Sequence, residues 1–104
     1  VDVVKESVSD MFFGHTSVGT TTKKIVPQKF PVQKGILLRA PGAGDPVPNA
    51  RPVWIGGCGV AADSSATGGV PLCPGESMFI PLEDPTRLHA VSTAEGQDLA
   101  WMAV

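Results

Sequence analysis

The sequence predicts an all-β chain, an antiparallel β-sandwich or small jelly-roll-like barrel with an extended N-terminal arm, and three observations predict it. The 104 residues include 12 glycines and 10 prolines, which leave little room for long helices. Between these breakers stand short β-prone runs that alternate with a period of two. Finally, 42% hydrophobic against 17% charged residues is too apolar for a disordered chain and suits one hydrophobic core.

Residues 1–15 read as the arm and 16–104 as a single sandwich domain. The arm, VDVVKESVSDMFFGH, mixes charges with one apolar cluster, Met11, Phe12 and Phe13. Ser7 and Ser9 are plausible helix caps, but so short a helix is not stable alone and must dock, on its own domain or on a partner. Six or seven strands are expected after it. The first covers Gly19 to Val26, where Thr20, Thr21 and Thr22 favour extended backbone and Pro27 ends the run. A second, Lys34 to Ala40, sets Ile36, Leu38 and Ala40 on one face and Leu37 and Arg39 on the other.

PGAGDPVPNARP, residues 41–52, holds four prolines and two glycines and reads as an exposed loop. Pro52 to Gly56 is a short strand carrying Trp54. Residues 56–76 form a small-residue connection, a wrapped loop or two short edge strands, with Val60, Val70 and Leu72 as its anchors. PGE at 74–76 fits a turn with Pro second and Gly third. Ser77 to Leu82 alternates Met78, Ile80 and Leu82 against Phe79, and Glu83-Asp84-Pro85 closes it. Strands Arg87 to Ser92 and Leu99 to Val104 follow, the last with Leu99, Trp101 and Ala103 on one side.

Charge and motif content exclude several function classes. A net charge of −2 gives no broad attraction to nucleic acid, and the cluster Lys23, Lys24, Lys29, Lys34 and Arg39 lacks interleaved aromatics, so it reads as a solvated face. No stretch approaches the roughly 20 apolar residues that span a bilayer, and VDVVKESVSD has no basic region ahead of an apolar core, so neither a membrane segment nor a secretion signal is expected. Cys58 and Cys73 are expected as free thiols, with one bridge across the Gly-rich connection as the alternative.

No cofactor, metal or catalytic residue is expected. His15 and His89 are isolated and read as surface or interface histidines, and the spacing of the cysteines matches no ligand pair. Cys58 in GGCGV lacks the strand-to-helix elbow of a glycine-flanked nucleophile. Glu83 and Asp84 precede a proline in a turn, where Asp bonds the backbone, rather than forming a glycosidase pair. A calcium site at that turn or at Asp63 is the metal alternative. Trp54 and Trp101 both fall in strands, where core packing is expected of at least one.

From Lys34 onward the order of motifs is KGILLRAPG, then VWIGGCGVAAD, then GGVPLCPGESMFIPLEDPTRLHAVSTAEGQDLAWMAV. It resembles a family of small β-sandwich accessory virion proteins of tailed bacteriophages, the capsid decoration or cement type, over about two thirds of the chain. The resemblance implies a non-enzymatic protein that binds the major capsid protein on the outer capsid surface as a homo-oligomer, expected as a trimer, and stabilises the head. The alternative it allows is a tail or head-fibre accessory module for receptor or glycan recognition; a metal-dependent enzyme on a cupin-like barrel is a weaker third. Two departures stand out: cysteines where a small residue is usual, and a longer proline-rich loop. Met11, Phe12 and Phe13 in the arm and Pro46 and Pro48 in the loop are the expected partner-binding residues.

Overall fold

The chain folds as one long hairpin rolled up on itself. In a computed structural model describing residues 12–29 and 32–104, β1 (Phe13–Val18) pairs with β8 (Gln97–Ala103) and β2 (Lys23–Lys24) with β7 (His89–Ser92). Nearer the tip, β3 (Ile36–Arg39) pairs with β6 (Ser77–Ile80), and β4 (Val53–Gly56) with β5 (Val70–Leu72). Further pairing of β3 with β8 and of β4 with β7 assembles two antiparallel sheets of four strands, sheet A in the order β1-β8-β3-β6 and sheet B in the order β2-β7-β4-β5. Successive rungs of the hairpin thus alternate between sheets, the winding of a jelly roll.

The core lies between the sheets. Val18, Ile36, Leu38, Leu99 and Ala103 reach in from sheet A and Val53, Ile55, Leu72 and Ala90 from sheet B, while Ile25, Val26 and Leu88 come from the connections. Each valine, leucine or isoleucine among them contributes about 1.5–3 kcal/mol on full burial. Trp101 packs half-buried against this cluster, and its ring occupies the space over Gly14, where a Cβ would lie 3.0 Å from Cζ2. Gly14 is therefore a packing requirement in the middle of an edge strand.

Local turn chemistry works as the residues predict. Glu76 N donates to Cys73 O at 2.9 Å, with Pro74 second and Gly75 third at φ +89°. Asp84 Oδ1 accepts from Thr86 N and Thr86 Oγ1, capping a 3-10 turn at Pro85–Arg87. That turn delays the following strand to His89.

Three expectations need correction. The first strand is Phe13–Val18, not Gly19 to Val26, so residues 13–15 belong to the sandwich rather than to an arm. Thr20 and Thr22 sit at the corner between sheets and spend their hydroxyls on Glu95 Oε2 and Val60 O, leaving a strand of only Lys23–Lys24 in the predicted span. FGHTSV becomes a strand because β8 offers it a ladder; tertiary pairing outweighs weak intrinsic preference. Val70 is 57% exposed at the rim of sheet B and anchors nothing, whereas Val60 and Leu72 are buried.

Candidate functional site: the outer face of sheet A

Residues aligned across a sheet project to the same side, and the side alternates along each strand. On the outer face of sheet A the register aligns Phe13, Met102, Leu37 and Phe79 in one row across all four strands, and His15, Ala100, Arg39 and Ser77 in the next. Neighbouring strands lie ~4.8 Å apart, so the first row is ~14 Å wide. It is apolar from end to end and open: Phe13 is 67% exposed, Leu37 39% and Phe79 46%, with Met102 half-buried between them. Small Ala100 leaves a shallow depression of about 280 Å³ walled by Phe13, His15, Leu37, Arg39 and Met102.

The polar flank of this row is held by two bonded pairs. His15 Nδ1 lies 3.0 Å from Asp98 Oδ2, and the Asp98 backbone is clasped by Asn49, whose Nδ2 donates to Asp98 O at 2.8 Å while Asp98 N donates to Asn49 Oδ1 at 2.7 Å. Arg39 Nη1 donates to Asp45 Oδ2 at 3.0 Å, and Gly42 N donates to the same oxygen at 2.7 Å. The Gly42 N–H, then Arg39, hold the Asp45 carboxyl below the ordinary carboxylate value.

Those bonds fix the proline-rich loop beside the face. Asn49 N donates to Pro41 O, closing its base, and Gln97 Oε1 accepts from Ala50 N and Arg51 N just beyond. Between these feet Pro46, Val47 and Pro48 stand exposed, Val47 at 73%. The loop is an anchored apolar tip whose Asp45 grips a side chain of the outer face.

Of the expected partner-binding residues, Phe13 opens the apolar row, and Phe12, 37% exposed, keeps the ladder by accepting from Ala103 N. Pro46 and Pro48 flank Val47 at the loop tip; Met11 lies outside the described residues. The alternative of a bridge between Cys58 and Cys73 does not hold, as both are free and exposed. Val53 pairs with Leu72 and Ile55 with Val70, so Cys73 follows one end of the β4–β5 ladder and Cys58 the other, farther apart than the roughly 4–7 Å a disulfide spans between Cα atoms. Desolvation, then Glu76, pushes the Cys73 thiol up from its ordinary value.

Leu37, Phe79 and Met102 were not singled out by the sequence as site residues. The signal was present in part: Leu37 sits between Ile36 and Leu38, and Phe79 between Met78 and Ile80, so each strand carries large apolar residues on both faces. Among the described residues no group of three or more His, Cys, Asp or Glu side chains is placed to hold a metal, and no helix is long and apolar enough to cross a membrane. Asp63 Oδ1 accepts from Ser65 N and Oγ, and Asp84 is committed to Thr86. Compared with family models, curated proteins and solved structures, the chain finds no match in any of the three.

Proposed function

We propose that this chain is a non-enzymatic accessory protein of a tailed-phage virion, a capsid decoration protein that binds the major capsid protein on the outer surface of the head as a homo-oligomer, expected as a trimer. The observation that carries the reading is the apolar row Phe13–Met102–Leu37–Phe79 on a rigid sheet face, beside the anchored tip Pro46–Val47–Pro48. Exposed apolar surface gathered in one place and rimmed by polar groups marks a protein-binding face. The order of motifs from Lys34 onward supports the virion assignment.

The physical logic is that of a clamp. A packaged genome pushes coat subunits apart, and a rigid sandwich contacting neighbouring subunits adds interface that must be broken before they separate. A stable contact buries about 800 Å² per partner, more than four side chains supply, so the loop tip and the Phe12–Phe13 end share the contact.

Cryo-electron microscopy of particles carrying this chain tests the reading. Copies at regular positions over the head lattice, three around each local axis, are the expected result. Density confined to tail tip or fibres would replace it with the receptor- or glycan-recognition alternative.

A further inference from the structure

Sheet A is open at both edges, and the two edges match. In an antiparallel ladder, alternate residues of a strand bond to alternate sides. Phe12 O accepts from Ala103 N at 2.8 Å, which fixes Gly14, Thr16 and Val18 as the residues of β1 bonded to β8. Phe13, His15 and Ser17 therefore turn their N–H and C=O groups outward. At the opposite edge Glu76 O accepts from Ala40 N at 3.0 Å, so Met78 and Ile80 bond to β3 while Ser77 and Phe79 face outward. Among the described residues no backbone bond reaches these outward groups. Neither FGHTSV nor SMFI contains lysine or proline, whereas lysine blunts one edge of sheet B and proline the other.

We propose that copies of this chain join head to tail, β1 of one pairing antiparallel with β6 of the next. One register satisfies both edges. With Phe13 opposite the next copy's Phe79 and His15 opposite its Ser77, outward groups meet face to face, and each pair exchanges both N–H···O bonds. The same register carries the outer rows onward: Phe79–Leu37–Met102–Phe13 runs into the next Phe79, and Ser77–Arg39–Ala100–His15 into the next Ser77. Direction agrees as well, because neighbouring strands of sheet A are all antiparallel, so a copy in the same orientation presents β6 antiparallel to β1. Charge selects this pairing over a two-fold one. Exposed Lys23 and Lys24 lie on the β1 side, where Thr16 Oγ1 donates to Ile25 O just beyond them, and exposed Glu76 immediately precedes β6. Two β1 strands paired about His15 would set those lysines near their own copies and Phe13 against Ser17. A head-to-tail contact closes into a ring where the rotation between copies allows it, leaving no edge of sheet A open. Three copies is the ring that the proposed function expects. The inference rests on the homo-oligomer part of that reading and not on the virion part, and it leaves the outer face of sheet A uncovered.

Disulfide trapping of the full chain, in a background of Cys58→Ser and Cys73→Ser, tests it. His15→Cys and Ser77→Cys, carried by separate chains, stand opposite each other in the proposed register at ~5.5 Å between Cα atoms, within disulfide reach. Mixing the two under mild oxidation is expected to give a covalent dimer with one of each, and neither variant alone should give one. A dimer from His15→Cys alone would overturn the proposal in favour of two-fold β1 pairing. No dimer from the mixture would overturn it outright. Sedimentation separates this contact from the oligomer itself. Ser77→Pro, at the first position of an edge strand, removes an N–H that the β3 ladder does not use. It is expected to retain the circular dichroism of the fold and to weaken association at least about tenfold. A trimer that survives Ser77→Pro unchanged would overturn the β1–β6 contact while keeping the homo-oligomer, and a wild-type chain monomeric at every concentration would overturn both.

Discussion

The two sheets bury their inner faces alike and treat their outer faces differently. Outside sheet B, Val91 points away from the core yet is only 5% exposed, with half-buried Trp54 as its lateral neighbour and Pro71 beyond. Outside sheet A, the corresponding apolar row stays open, at 39–67% for Leu37, Phe79 and Phe13. The edges differ too. Sheet B is bounded by β2, two lysines long, and by β5, which carries Pro71, both devices that discourage further pairing. β1, at the edge of sheet A, has six residues, FGHTSV, with neither lysine nor proline. Inner faces make the fold, and the asymmetry of the outer faces singles out that of sheet A as the one with an open apolar row.

The largest expected effect concerns what the sheets share. Leu38→Ala in β3 and Ile55→Ala in β4 remove side chains 0% and 3% exposed from opposite sides of one core, so each should lower unfolding stability by about 2–5 kcal/mol in urea titrations. A markedly smaller loss for one would mean that its sheet contributes little to the common core.

The next experiment addresses the difference. Val91→Ser should lose about 1.5–3 kcal/mol, since a covered valine is uncovered and a hydroxyl put in its place, while Phe79→Ser should lose at least about 1 kcal/mol less. Equal losses in denaturant would show the outer face of sheet A to be as well covered as that of sheet B.

A moderate effect is expected where the sheets are tied together. Gln97 in β8 of sheet A is 5% exposed and accepts from Ala50 N and Arg51 N on the approach to β4 of sheet B, while its Nε2 donates to Glu95 O. Gln97→Ala should cost about 1–2 kcal/mol, because those N–H groups lose their acceptor. Preserved stability, with unchanged exchange at Ala50 and Arg51, would argue that water replaces the amide at no loss.

The smallest effect is acid lability. Asp45 beside sheet A and Asp63 at the tip of sheet B both have lowered pKa values, the first held mainly by the Gly42 N–H and the second by the Ser65 hydroxyl. The folded state binds these protons more weakly than the unfolded one, so the stabilisation is present above the ordinary value of 3.8 and fades as pH falls through the lowered folded values. Urea midpoints should drop on acidification below about pH 4. Asp45→Asn and Asp63→Asn should each flatten that slope slightly, and an unchanged slope in either would show its bonds to be absent in solution.

Much of the fold was legible because it is written in neighbours. The alternation of Ile36, Leu38 and Ala40 against Leu37 and Arg39, and of Leu99, Trp101 and Ala103, is realised with the inward set facing the core. The Pro74-Gly75 and Asp84-Pro85 turns follow from φ preferences and from a carboxylate reaching the backbone two residues on. The first strand was misplaced because Thr20–Thr22 favour extended structure locally, whereas β1 exists through its ladder with β8. The candidate site was half legible: Phe13, Pro46 and Pro48 drew notice as apolar residues in unusual company, but Leu37, Phe79 and Met102 looked like ordinary strand residues.

The sequence by itself determined the all-β class, most strand spans and which side of each strand turns inward, since two-residue alternation, Gly and Pro act over a few positions. Only the tertiary structure decided which strands become neighbours and in what register. That choice sets Phe13 beside Met102, Met102 beside Leu37 and Leu37 beside Phe79, and it sends Cys58 and Cys73 to opposite ends of one ladder. Both results depend on hydrogen-bond pairing between segments far apart in the chain, which no local periodicity encodes.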